Sequence, residues 1–160
     1  MGIAGLHDLV AAQMREHAPG LEVLMLERRA REVMAAADAL MVASGTATLE
    51  TMLVTRPMVV AYRLAPVTYW LVRTLKLVEV PHFAMPNLLA GERLVPELLQ
   101  AEVTGERLSA EILALLGSPA TTQALEQRFA TIGRSLRCGA SASAARHVLA
   151  VAGMGVVEEC

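Results

Sequence analysis

Apolar positions along the first 60 residues follow two alternating rhythms. Over 3–17 (IAGLHDLVAAQMREH) Leu6, Leu9, Val10 and Met14 recur three and four apart, the spacing of one helix face, and Pro19-Gly20 ends the run. The apolar stretch from Leu21 to Leu26 predicts a short strand. A charged helix is predicted over Glu27–Ala37, with Val33 and Met34 on its buried side, and a second strand over Ala39–Ala43. The helix that begins at Thr46 has to stop before Pro57, because proline disfavours helical geometry in the residue ahead of it. Met58-Val59-Val60-Ala61-Tyr62 lacks polar alternation, the pattern of a strand covered on both faces of a parallel sheet. Helix and strand in alternation predict an α/β domain.

Beyond Pro66 the pattern changes. Val67–Val78 reads as an apolar helix that holds Tyr69 and Trp70 beside Arg73 and Lys76. It fits a buried helix, and equally an interfacial helix resting on a lipid surface. Pro81, Pro86 and Asn87 bracket a loop over His82–Asn87. From Gly91 onward the periodicity is helical, over 92–100, 106–116, 120–136 and 140–152, with breaks at Gly105, Gly117-Ser118-Pro119 and Gly139. A chain of 160 residues is sized for one ordinary domain. The reading divides it into a divergent segment 1–25, a central α/β part 26–116 and C-terminal helices 117–160.

Composition narrows the classes. Hydrophobic residues make up 54% of the chain and aromatics only 3%, so its apolar character comes from Ala, Leu, Val and Met. Asp38, Arg63, Arg73, Lys76 and Arg146 interrupt each apolar window of membrane-spanning length, so no transmembrane helix is expected. A formal charge of −2, with no basic patch interleaved with aromatics, argues against nucleic acid as a partner. Cys138 and Cys160 form no Cys-x-x-Cys pair and fit reduced thiols in a cytosolic protein. The N-terminus lacks the basic-then-apolar design of a signal peptide, so a cytoplasmic location is expected. His7, His17, His82 and His147 sit at no metal-ligand spacing, and no metal is predicted. Nucleophile-elbow, Walker A and Gly-x-Gly-x-x-Gly patterns are absent from the sequence, which argues against serine hydrolases, P-loop enzymes and dinucleotide oxidoreductases.

The chemistry that remains lies at residues 43–50, Ala-Ser-Gly-Thr-Ala-Thr-Leu-Glu, directly behind a strand. A strand ending in Ser44-Gly45 and feeding a helix at Thr46 leaves that helix's first N–H groups unpaired, with the positive end of its dipole behind them. An anion fits there. The same residues also fit a plain helix cap through Ser44 or Thr46. Glu50 sits one turn into the helix, placed to accept from two vicinal hydroxyls such as those of a ribose, or merely to suit the helix dipole. A nucleotide or sugar-phosphate site is the reading that survives.

Extended in both directions, these residues fall into a linked set. Arg31-Glu32-Val33-Met34, Ala37-Asp38-Ala39-Leu40, Ala43 through Glu50, Pro57-Met58-Val59-Val60, Tyr62-Arg63, Pro66 through Leu71, Pro86 through Gly91 and Glu97 through Gln100 together resemble the lipid-A-disaccharide synthase family. The likeness is concentrated in residues 30–100, is compatible with the helices to about 150, and is poor over 1–25. It implies the Rossmann-like C-terminal lobe of a two-lobed GT-B glycosyltransferase, with a parallel sheet incomplete at its N-terminal side. In that family a diacylglucosamine unit passes from a UDP donor to diacylglucosamine 1-phosphate, with inversion and without a metal or other cofactor.

Carried over residue by residue, the resemblance implies that Ser44, Gly45 and Thr46 receive the diphosphate and that Glu50 lies near the ribose. Arg63, Asn87 and Gln100 are the further candidates for contacts to the UDP-sugar. Read bottom-up, Arg63 also fits a solvated charge at a strand end, and Asn87 a turn residue after proline. The resemblance implies no catalytic residue in this chain, because the family's acceptor site and base belong to the N-terminal lobe. The partners it implies are the UDP-diacylglucosamine donor, the lipid acceptor, the cytoplasmic face of the inner membrane, and a second copy or a chain carrying the missing lobe. A non-catalytic UDP-sugar-binding module and an inactive remnant are the alternative readings.

Overall fold

Three parallel strands, β1 (Leu40–Ala43), β2 (Met58–Tyr62) and β3 (Glu97–Leu99), lie side by side in the order β1-β2-β3. The computed structural model describes residues 3–43, 45–65, 82–137 and 139–152. Leu40 pairs with Met58 and Val42 with Val60, while Val60 and Tyr62 pair with Glu97 and Leu99 on the other side. The helices are α1 (Ile3–His17), α2 (Ala30–Ala36), α3 (Thr46–Leu53), α4 (Met85–Ala90), α5 (Gly105–Leu116), α6 (Pro119–Ser135) and α7 (Ala140–Val151). A 3₁₀ turn over Gln100–Glu102 follows β3. The α/β class with a parallel sheet and flanking helices is therefore as the sequence predicts.

Burial explains the sheet. Met58, Val59 and Val60 are consecutive and all buried, which requires cover on both faces of β2 and accounts for the unbroken apolar run. Helices α3 and α5 both pack on β1 and β2, and α6 packs on α3 and α5. Met52 from α3, Leu98 from β3, Leu115 from α5 and Leu125 and Phe129 from α6 meet in one core with Ala84 and Val95. Fully burying a side chain such as Phe129 contributes about 1.5–3 kcal/mol.

Local rules fix the helix ends. Thr55 adopts φ 55, the left-handed conformation that terminates α3. Its N–H donates to Met52 O at 2.9 Å and the Arg56 N–H donates to Thr51 O at 3.2 Å, the paired closure of a Schellman motif. Helix α4 carries Pro86 at its second position, where a missing N–H costs nothing, and closes at Gly91 with φ 68. Helix α5 starts at Thr104, whose hydroxyl accepts from the Arg107 N–H at 3.2 Å.

Four sequence expectations change, the first in α2, where Val33 is 41% exposed instead of buried. Residues 21–26 form no strand: they run without regular structure, with Leu21 65% and Leu24 81% exposed, because no described strand pairs with them. The helix expected over 92–100 gives way to β3. Pro96 lacks the N–H a helix interior needs, while its carbonyl accepts from Val60 N at 2.9 Å and starts the pairing with β2. The loop expected over His82–Asn87 is half helix, since α4 begins at Met85. The aromatic segment Val67–Val78, together with Ser44, Cys138 and Cys160, lies outside the described residues.

Candidate functional site

Because all three strands run in one direction, the segments that follow them emerge at one edge of the sheet: Gly45 after β1, 63–65 after β2 and 100–104 after β3. Open α/β sheets bind ligands at this carboxyl edge. Gly45 holds φ 141 and ψ −162, a region open essentially to glycine alone. A Cβ added there would meet nothing within 4 Å, so the glycine serves backbone conformation and leaves open space above the turn. Gly45 occupies the N-cap and Thr46 the first helical position, so Thr46 is not the cap of α3. Among the described residues no side chain caps this helix, and its leading N–H groups are left for solvent or an anion.

Thr48 is the residue that sequence reasoning missed. Its side chain is fully buried, its hydroxyl donates to Gly45 O at 2.7 Å, and it accepts from the Met85 N–H at 3.3 Å. One hydroxyl therefore holds the strained turn and ties it to the start of α4. A threonine two positions past the exposed Thr46, on the sheet-facing side of the helix, was the available signal.

Glu50 lies exposed on α3, four residues past Thr46 and so on the same face of the helix. It borders a cavity of 330 Å³ whose other walls are Arg31 and Met34 from α2 and Leu53 and Val54 at the end of α3. A lining that joins apolar side chains with a carboxylate and a guanidinium suits a ring bearing hydroxyls. Two larger cavities, 520 Å³ beside α1 and 410 Å³ between α5 and α6, are lined by no residue of the segments that follow the strands.

Arg63 and Gln100 stand at the carboxyl ends of β2 and β3, and hydrogen bonds knit their loops together. Arg63 donates to Val103 O at 2.7 Å, and Gln100, itself at φ 49, accepts from the Leu64 N–H at 3.2 Å. Asn87 is set apart. It is fully buried, donates to Val95 O at 3.0 Å, and accepts from Leu94 N at 2.8 Å and Val95 N at 2.9 Å. Its carboxamide shapes the approach to β3 instead of facing the strand-end opening. The sheet edge thus gathers Gly45, Thr46, Arg63 and Gln100, holds Glu50 one turn along, and leaves Asn87 inside the fold.

The base of this edge is pinned by Glu97. That carboxylate accepts from the Phe83 N–H at 2.9 Å and from the Ala84 N–H, with His82 Nδ1 3.7 Å away. Tyr62 and Phe83 stack with ring centroids 6.3 Å apart. Entry to and exit from the residues between β2 and α4 are therefore held together.

Comparison with known proteins agrees with this architecture. Residues 6–148 match the family model described as Lipid-A-disaccharide synthetase. A lipid-A-disaccharide synthase of Alkalilimnicola ehrlichii is 53% identical over 131 residues, 82% of this chain and 34% of that relative. One of Yersinia pestis is 48% identical over 86% of this chain and 34% of its own length, and one of Xylella fastidiosa is 42% identical over 86% and 43%. The chain spans well under half the length of these curated relatives. With its parallel sheet, its glycine turn and a match across nearly all the described residues, the chain belongs to the lipid-A-disaccharide synthetase family.

Proposed function

We propose that this chain is the donor-binding part of an inverting glycosyltransferase that joins a UDP-linked diacylglucosamine to diacylglucosamine 1-phosphate. The observation that carries the reading is the Gly45-Thr46 turn, uncapped by any described side chain, at the carboxyl edge of a parallel sheet. The diphosphate sits on the leading N–H groups of α3, where the helix dipole disperses its charge as the sugar departs. Arg63, which uses one N–H donor on Val103, has further donors to offer a diphosphate. Glu50 accepts from the ribose hydroxyls, and the ring beyond them rests in the cavity shared with Arg31 and Met34. Gln100 supports this site by holding the loop that follows β2.

Transfer needs a base within hydrogen-bond reach of the acceptor hydroxyl. That base and the acceptor pocket belong to the part of the relatives' length that this chain does not span. No helix of the described residues is long and apolar enough to cross a membrane. The lipid character of both substrates is what favours contact at the bilayer surface.

Calorimetric titration with UDP tests the reading. Wild-type chain binds, and Glu50→Ala or the Ser44→Ala, Thr46→Ala double variant weakens binding about tenfold, the effect of one or two lost hydrogen bonds to a charged ligand. A folded wild-type chain that does not bind UDP overturns it.

A further inference from the structure

The peptide unit between Gly45 and Thr46 has its carbonyl held against the first turn of α3. Gly45 O accepts from the Thr48 N–H at 3.1 Å and from the Thr48 hydroxyl at 2.7 Å. A trans peptide sets its N–H opposite its C=O, so this carbonyl directs the Thr46 N–H away from the helix body, out of the helix start. The hydroxyl bond also makes that N–H a stronger donor, because linked hydrogen bonds polarise one another. What fixes the hydroxyl in this direction is remote in sequence. The Met85 N–H, at the first position of α4, donates to the Thr48 oxygen at 3.3 Å, which leaves the hydroxyl proton for Gly45 O. Met85 is placed in turn by Glu97, whose carboxylate accepts from the N–H groups of Phe83 and Ala84, the two residues ahead of α4.

We propose that Thr48 is the positioning residue of the donor site: held by the Glu97-anchored start of α4, its hydroxyl aims the Thr46 N–H at the diphosphate. The inference rests on the donor-binding reading of the Gly45-Thr46 turn and adds the residue that sets the turn's preference for phosphoryl oxygens. Thr48 is fully buried, so it acts through the backbone and touches no ligand itself. Only a group that both donates and accepts can do this. A buried valine of the same shape would leave the Met85 N–H without an acceptor and the Gly45 carbonyl with one bond fewer. The same network makes the start of α4 responsive to the site. An anion on the Thr46 N–H strengthens the bonds behind it, through Gly45 O and the Thr48 hydroxyl to the Met85 N–H.

The test titrates the full chain with UDP and, separately, with uridine, which lacks the phosphates, and follows both by amide NMR. Thr48→Val removes both hydrogen bonds; in the folded variant UDP should bind about tenfold more weakly, while uridine affinity stays within about twofold of wild type. Thr48→Ser gives up a methyl group and keeps the hydroxyl, so it should restore UDP affinity even where its melting temperature is lower. A purely structural threonine would move the melting temperature and leave the ratio of UDP to uridine affinity unchanged. A second measurement needs no variant and decides the matter if Thr48→Val does not fold. In wild type at equal saturation, UDP should slow hydrogen exchange of the Met85 amide about threefold or more beyond the effect of uridine. The proposal is overturned if Thr48→Val keeps the wild-type ratio, if Thr48→Ser does not restore UDP affinity, or if the two ligands slow Met85 exchange alike. Absence of UDP binding by the wild-type chain overturns the donor reading and this proposal with it, whereas wild-type binding with an unchanged ratio in Thr48→Val overturns this proposal alone.

Discussion

At the scale of single residues, Asn87 shows how a polar side chain can look like a ligand contact and act as a splint. Its carboxamide holds Leu94 and Val95 in the extended path that leads into β3. Asn87→Ala leaves two N–H groups and a carbonyl without their partner inside the protein, an expected loss of about 2–4 kcal/mol in a urea melt, with UDP affinity of the remaining folded fraction unchanged. A loss confined to UDP binding, at full stability, would instead place Asn87 in the ligand site. Pro86-Asn87 carries an ordinary turn signal, and nothing near it in the sequence tells that its partners lie seven and eight residues on. Glu50 differs, because an exposed carboxylate on a helix face is already placed by the helix period, and its position relative to Thr46 was legible without the fold.

At the scale of elements, α3 was readable at both ends and is also improvable at one. Its start follows from Ser-Gly-Thr after an apolar strand, and its stop from Pro57. The Schellman closure, however, uses Thr55 at φ 55, where a β-branched side chain is strained. Thr55→Gly should raise stability by about 0.5–1 kcal/mol, seen as a higher melting temperature, with no change in UDP binding. A lower melting temperature would mean that the threonine side chain contributes more packing than its backbone costs. The strands were harder to read. Leu21–Leu26 has the better apolar run, yet Glu97–Leu99 is the strand. Three residues are enough because Val60 and Tyr62 offer them a ladder and Asn87 delivers the chain in extended form, whereas 21–26 has no described partner.

For the molecule as a whole, the C-terminal helix α6 is not an appendage. Leu125 and Phe129 of α6 are buried against the same core as Met52 and Met58, and Gly133 of α6 approaches Leu53 of α3. Phe129→Ala opens a cavity at this junction and should cost about 3–5 kcal/mol, measured by chemical denaturation. That is a large part of the total stability of a domain of this size, so the variant is expected to lose helical signal near physiological temperature. A cost below about 1 kcal/mol would show that α6 can leave the core without harm to the sheet. Among the described residues no strand pairs with the outer edge of β1, where Met41 is exposed.

The sequence by itself determined what depends on near neighbours. It specified the alternation of helices and buried strands, the ends of α3, the position of Glu50 on its helix, and the glycine turn behind β1. Helices close their hydrogen bonds within a few residues, so local pattern suffices to place them. Tertiary structure alone decided which apolar runs became strands, that Thr48 and Asn87 are spent on the backbone of distant loops, and that Gly45, Thr46, Arg63 and Gln100 share one edge. A strand closes its hydrogen bonds only on another strand, and a buried polar group only on whatever the fold brings to it. Those partners are remote in sequence, and only the assembled core selects them.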